Sequence, residues 1–248
     1  MDENNQNIPV NPKFNVKISP KLENFWYHYK WHTIVGIFIA VVAVILITQL
    51  FTKTEYDVNI VYAGEKAIAT TSLSGDGVTE LSTITRAIET AAEDYNNDGI
   101  VRFNLHNLCI MSSDEYKEAV KDVTDSLQKT KLESEIQTNR QTLRDLMYSG
   151  YFLYLFSEDI FREYDGEGDA QLFADIKSYT KNSGEYTYAS DRGIYLSSLE
   201  IYKTTDLSLL PPDTVVCIRL PGVFDSTGAG SKYEFSERLL RSILAYGE

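Results

Sequence analysis

Apolar and polar positions divide the chain into three stretches. Residues 1–24 are rich in Asn, contain Pro9, Pro12 and Pro20, and have no apolar period, which predicts a disordered tail. Thr33 to Phe51, TIVGIFIAVVAVILITQLF, is apolar on every side and carries no charge. As a helix rising about 1.5 Å per residue it covers about 28 Å, close to the thickness of a bilayer's hydrocarbon core. Lipid supplies no hydrogen bonds, so such a run must satisfy its backbone internally. The run is longer than a signal-peptide core of about 7–15 residues. Neither a small-x-small cleavage site nor a lipid-accepting cysteine follows Phe51. The expectation is an uncleaved transmembrane helix.

Beyond that run the period changes. Tyr56 to Ala63 (YDVNIVYA) alternates and then turns fully apolar, predicting a strand, and Gly64 to Gly77 reads as loop. Val78, Leu81, Ile84, Ile88 and Ala91 recur at helical spacing, predicting a helix over 78–95 that Asn96-Asn97-Asp98-Gly99 ends. In the strand expected over 100–111, Val101, Phe103 and Leu105 alternate with Arg102, Asn104 and His106. The phase slips at Asn107, which predicts a bulge or a strand end.

Ser112-Ser113-Asp114-Glu115 has capping-box spacing, for a helix that Tyr116, Val120, Val123 and Leu127 continue. A polar stretch to about Arg140 precedes further helix to Met147. Tyr151 to Phe156 (YFLYLF) reads as a strand buried on both faces, and Ser157 as the cap of a short acidic helix. Residues 170–179 read as helix, and 193–199 and 214–220 as strands. Residues 233–246 read as a helix with Phe235, Leu239, Leu240 and Ile243 on one face. Strands alternating with helices predict the α/β class. The organisation expected is a tail and aromatic segment over 1–32, a transmembrane helix over 33–51, and one layered α/β domain with a mostly parallel sheet over 52–248.

Charge refines this picture. Acidic residues outnumber basic ones 36 to 23, for a formal charge of −13. That excludes a general nucleic-acid binder, whose affinity rests on Lys and Arg neutralising phosphates. Lys13, Lys17, Lys21 and Lys30 precede the apolar run, against Lys53 and Lys66 over a similar distance after it. The positive-inside rule then places the N-terminus in the cytoplasm and the domain outside the cell membrane. Phe25-Trp26-Tyr27-His28-Tyr29-Lys30-Trp31-His32 supplies rings that favour the headgroup layer, so Trp26, Tyr27, Tyr29, Lys30 and Trp31 are the expected membrane-interface residues. A docking motif for another membrane protein is the other reading of the same segment.

The segment ENFWYHYKWHTIVGIFI resembles the juxtamembrane region of small single-pass proteins of clostridial-type Gram-positive bacteria. Several of those look like type-2 extracytoplasmic solute-binding domains on an anchor. The resemblance covers about 20 residues and implies anchoring and a solute-binding-like ectodomain, with no catalytic residue to carry over.

Candidate chemistry is sparse. Asp94-x-Asn96-x-Asp98-Gly99 copies the first half of a calcium loop, but position 12 is Leu105. A helix-to-strand turn and a calcium site on Asp94, Asn96 and Asp98 both fit. Glu158, Asp159, Glu163, Asp165, Glu167 and Asp169 form the densest acidic stretch, which reads as a solvated surface or as paired hydrolytic carboxylates. Ser226-Thr227-Gly228-Ala229-Gly230-Ser231-Lys232 lacks Walker spacing and reads as a loop feeding a helix, with anion binding as its other reading. His106 is the only histidine after the apolar run and has no nucleophile elbow beside it. Cys109 and Cys217 both lie in apolar strand contexts, as buried thiols or, if their strands are adjacent, a disulfide.

The function expected is non-enzymatic: a membrane-anchored extracytoplasmic domain binding a small solute or a partner, with no resident cofactor unless the Asp94 loop holds calcium. A ligand would sit beyond the C-terminal strand ends, near Gly64, Ser112 and Ser157. An accessory subunit of a membrane complex and a surface hydrolase using the Glu158–Asp169 acids are the alternatives.

Overall fold

The computed structural model describes residues 20–51, 56–72, 77–165, 171–180, 186–222, 225 and 229–247. The chain divides into two units, residues 1–54 and 55–248.

In the first unit α1 (Pro20–Phe51) is one continuous helix. Proline suits its opening position, where the missing N–H would have no intrahelical acceptor. Residues 20–24, expected in a disordered tail, form its first turns, and 1–19 lie outside the described residues. The aromatic segment is thus part of the same helix as the apolar run. Tyr29 stacks on Phe25 one turn back, with ring centroids 5.3 Å apart. None of the described side chains from Phe25 to Thr48 is buried.

The second unit is a mixed α/β layered fold. Its sheet has the order β2-β1-β3-β6-β5-β4. The strands are β1 (Val58–Gly64), β2 (Phe103–Cys109), β3 (Leu153–Phe156), β4 (Tyr188–Ser190), β5 (Gly193–Tyr195) and β6 (Val215–Ile218). β1 pairs parallel with both β2 and β3, whereas β6 runs antiparallel to β3 and β5, and β4 antiparallel to β5. The parallel expectation therefore holds for one half of the sheet. In the other half a two-residue turn, Asp191-Arg192, joins β4 to β5 antiparallel, and β6 enters antiparallel to β5 and β3 after the helical segment Glu200–Thr204.

Helices cover both faces. α2 (Glu80–Glu89), α6 (Glu200–Thr204) and α7 (Ala229–Leu244) share a core with Ile60, Tyr62, Leu155 and Val216. On the opposite face α4 (Ser126–Met147) and α5 (Glu158–Asp165) pack over Val61, Tyr154, Phe156 and Cys217. The path β1–α2–β2 steps outward across the first face. The path β2–α4–β3 returns past β1 across the second. Crossovers of one hand that move in opposite directions must use opposite faces. The connections leaving β1 and β3 consequently diverge, and the gap between those strand ends is a topological switch point.

Several expected boundaries shift. The helix starting near Val78 ends at Glu89, not Tyr95. The buried Asp57 carboxylate accepts the Tyr95 and Asn96 N–H groups (2.8 and 3.0 Å) and so competes for the last turn. β2 runs through Asn107 in unbroken register, without a bulge. The apolar phase slips because Phe103 and Leu105 pack under α2 while Leu108 packs under α4, on the other face. α3 (Ser113–Ala119) stops before Val120, and Asp125 caps α4, which runs straight through the polar stretch on a narrow buried stripe of Ile136, Leu143 and Met147. The helix expected over 170–179 is reduced to a short 3-10 turn at Ile176–Tyr179. Phe173 is instead extended in a bridge to Arg219 and fully buried beside Phe156 and Phe161.

Candidate functional site

At the C-terminal end of the parallel strands the sequence places polar side chains where a core would be apolar. Tyr62 lies opposite Asn107 on β2, and both lie on the α2-covered face. Ser157 follows β3 and Thr214 precedes β6, one step beyond the Phe156–Val215 pair. Period-2 alternation puts both on the face of Leu155 and Val216, which is the face of Tyr62. Asn107, Tyr62, Ser157 and Thr214 thus form a row across four strands.

Three residues of the row are buried, Asn107 is half-buried, and all four are incompletely bonded. Tyr62 is 1%, Ser157 6% and Thr214 0% exposed. The Tyr62, Ser157 and Thr214 hydroxyls and the Asn107 Oδ1 have no hydrogen-bond partner among the described residues. Native interiors leave few such groups, because each forgoes about 1–3 kcal/mol of solvation. Four of them lie together at the switch point. Gly64 makes room for the row: a Cβ there would lie 2.9 Å from the Tyr62 hydroxyl and 3.3 Å from Ser157 Cβ. Burial holds the Tyr62 phenol above its ordinary pKa, and the charge of Asp213, then Cys109, Glu80 and Glu65, adds to the shift.

A strap covers this end of β1. Lys66 Nζ bonds Glu80 Oε1 at 2.5 Å and the Leu209 carbonyl at 2.6 Å, while Glu80 Oε2 accepts the Ala69 N–H at 3.0 Å. The Ala69 N–H and Lys66 hold the Glu80 carboxyl below its usual range against a smaller upward push from burial. Cys109 leans on the same segment, its Sγ 3.2 Å from the Glu65 carbonyl.

Two of the three positions expected near a ligand, Gly64 and Ser157, meet here. Ser112 does not. It spends its hydroxyl on the Glu115 N–H in the expected capping box, beside a small groove lined by Met111, Tyr116 and Arg140. Ser157 proves not to be a helix cap, since its hydroxyl is turned into the row and unpartnered.

The other candidates lie apart. Asp94 accepts the Asp98 and Gly99 N–H groups, Asn96 accepts Asp98 N–H, and Asp98 accepts Ile100 N–H and an Arg102 bond. These oxygens are thus folded back onto their own turn, with Asn97 and Gly99 at positive φ. In the acidic stretch the described carboxylates do not converge. Glu158 pairs with Arg162, Glu163 with Arg140, Asp165 with Arg192, and Asp159 is exposed. Glu167 and Asp169 lie outside the described residues, as do 226–228 of the glycine-rich loop, whose Ala229 already opens α7.

His106 is half-buried, its Nε2 2.9 Å from both Asn104 Nδ2 and the Tyr151 hydroxyl, and burial lowers its pKa. Cys109 and Cys217 are both free thiols. Their strands are separated by β1 and β3 and their side chains alternate to opposite faces, so a disulfide is ruled out geometrically. Of the residues expected at a membrane interface, Trp26, Tyr27, Tyr29 and Trp31 are all exposed on α1, by 53%, 74%, 53% and 69%, and Lys30 is exposed among them.

No protein-family model matches the chain, and no curated protein or solved structure is significantly similar to it.

Proposed function

We propose that the chain is a membrane-anchored binding protein, held by α1 with its N-terminus cytoplasmic and presenting residues 55–248 outside the cell to a small polar solute. Binding, not catalysis, is its role. The observation that carries this reading is the row of four buried, unpartnered polar atoms at the switch point between β1 and β3. Such groups destabilise an empty core and become favourable once a ligand supplies their hydrogen bonds. Anchoring is supported by one helix long and apolar enough to cross a membrane, with no buried face and aromatic side chains toward its N-terminal end.

The test is thermal unfolding of the full chain in detergent micelles against a panel of amino acids, amines, sugars and organic acids. A ligand at 100 times its Kd raises stability by about 2.7 kcal/mol. A shift with one solute class that Tyr62→Phe abolishes supports the reading. No shift with any solute overturns it and favours an accessory subunit that works through α1.

A further inference from the structure

The six-stranded sheet ends in two edges, β2 and β4, and they are built differently. β4 is three residues long, its register against β5 is irregular, and Lys177 Nζ lies 5.5 Å from the centroid of its Tyr188 ring. Short length, irregularity and lysine are the usual means of keeping an edge from pairing with another chain. β2 has none of them. Its seven residues, FNLHNLC, include no Lys, Arg, Asp, Glu or Pro, and they pair with β1 in unbroken register.

β2 also has backbone groups to spare. Ser157 N–H bonds the Ala63 carbonyl, so odd-numbered residues of β1 face β3, and Ile110 N–H bonds the Gly64 carbonyl, so even-numbered ones face β2. In the observed register the backbone groups of Asn104, His106 and Leu108 then meet β1, and those of Phe103, Leu105 and Asn107 point out of the sheet. Among the described residues nothing bonds these outward N–H and C=O groups. At the end of the strand the next outward carbonyl, that of Cys109, is already taken by Asn139 Nδ2 at 2.7 Å. The free positions are therefore symmetric about Leu105.

We propose that β2 is a dimer seam: a second copy of the chain pairs its own β2 antiparallel with this one, with the two-fold axis at Leu105. Phe103 then exchanges both backbone bonds with Asn107 of the second copy, Leu105 with Leu105, and Asn107 with Phe103, so that every free group finds a partner. A second copy fits better than an unrelated extended chain. The free set is its own complement under a two-fold, as an isologous interface requires. Charge agrees. Arg102, paired with Asp98 but partly exposed, stands just before β2. Glu135, exposed one helical turn from the Asn139 that bonds Cys109, stands at the other end, so antiparallel pairing brings opposite charges together. With β4 blunted, pairing through the one open edge closes at two copies and does not run on as a fibre.

Sedimentation and residue-resolved hydrogen exchange of the full chain in detergent micelles test this together. Sedimentation is expected to show a dimer. Asn104→Lys, which puts a lysine on the edge, is expected to give a monomer that circular dichroism shows to be folded. The amides of Phe103, Leu105 and Asn107 are expected to exchange at least about tenfold slower in the dimer than in that monomer. Those of Asn104, His106 and Leu108 of the unsubstituted chain, bonded to β1, are expected to stay protected on dilution. Glu135→Lys, at an exposed position of α4 that leaves the core untouched, is expected to weaken the dimer about threefold and serves if the first variant does not fold. A monomer at every concentration overturns the proposal. A dimer whose three outward amides exchange freely, or that both variants leave intact, is formed elsewhere, as through α1, and overturns it as well. Slow exchange of those amides in a sedimenting monomer means that the chain covers its own edge, and likewise overturns it.

Discussion

Asp225 shows how single residues hold the second unit together. Its carboxylate meets Arg219 at 2.6 and 3.1 Å, and the two side chains are only 6% and 5% exposed. Arg219 also lies over the Phe152 ring, 4.6 Å from its centroid. Burial pushes the Asp225 carboxyl up, but Arg219 and the Gly222 N–H together outweigh it and the net pKa is lowered. A lowered folded-state pKa contributes stability that is fully present above the unfolded value of about 3.9 and is lost as pH falls through the folded value. Urea unfolding between neutral pH and pH 3 should therefore show a falling acid limb that Asp225→Asn flattens. The same substitution should cost about 3–5 kcal/mol at neutral pH by leaving Arg219 buried without its partner. Gly193 gives a second residue-scale prediction. A Cβ there would come within 2.5 Å of Phe161 Cζ and 2.6 Å of Val215 Cγ1. Gly193→Ala should lower stability by about 1–3 kcal/mol. Gly230→Ala, in open space on α7, should raise it by about 0.5 kcal/mol in the same denaturation series.

At the scale of elements, the loop between α2 and β2 is organised by one carboxylate. Asp57 accepts N–H groups from Tyr95, Asn96 and Arg102 at 2.8, 3.0 and 2.8 Å while its own N–H bonds the Arg102 carbonyl. Asp57→Ala should cost about 3 kcal/mol in urea unfolding and raise hydrogen exchange over residues 94–102 before other segments. This element also marks where sequence patterns lose their grip. Runs such as VNIVYAG, LYLF and VVCI declare strands because they are apolar beyond what a helix face needs, and the α7 stripe declares itself by period. The end of α2 does not, since Ala91 and Ala92 are good helix formers and only a carboxylate some 35 residues earlier draws the chain away. The direction of β6 is equally silent, because the short α6 helix and the 3-10 turns over 196–214 carry no pattern that sets which way the next strand runs. Of the site, Gly64 and Ser157 were legible as positions after parallel strands. Tyr62, Asn107 and Thr214 were not, for their unpartnered atoms exist only once four strands are aligned. The one sequence trace is Asn107, a polar residue at the slip of an otherwise alternating strand.

At the scale of the whole chain, an apolar helix and an acidic domain carry different demands. The proposed anchor predicts that the chain stays with membranes through an alkaline carbonate wash, and that deletion of residues 33–51 releases it to the soluble fraction. The domain's claim is sharper, because a fold with a row of unpartnered polar atoms retains a local energetic cost that a purely structural core would have removed. The most direct test is the urea-unfolding midpoint of the ligand-free full chain beside Tyr62→Phe and Thr214→Val, which remove only the hydroxyl hydrogen-bonding groups. The account predicts stability unchanged or raised by about 1 kcal/mol in each, with solute-dependent stabilisation lost. A loss of about 1 kcal/mol or more in both would mean that these hydroxyls are already satisfied in the folded protein, and would contradict a binding role for the row.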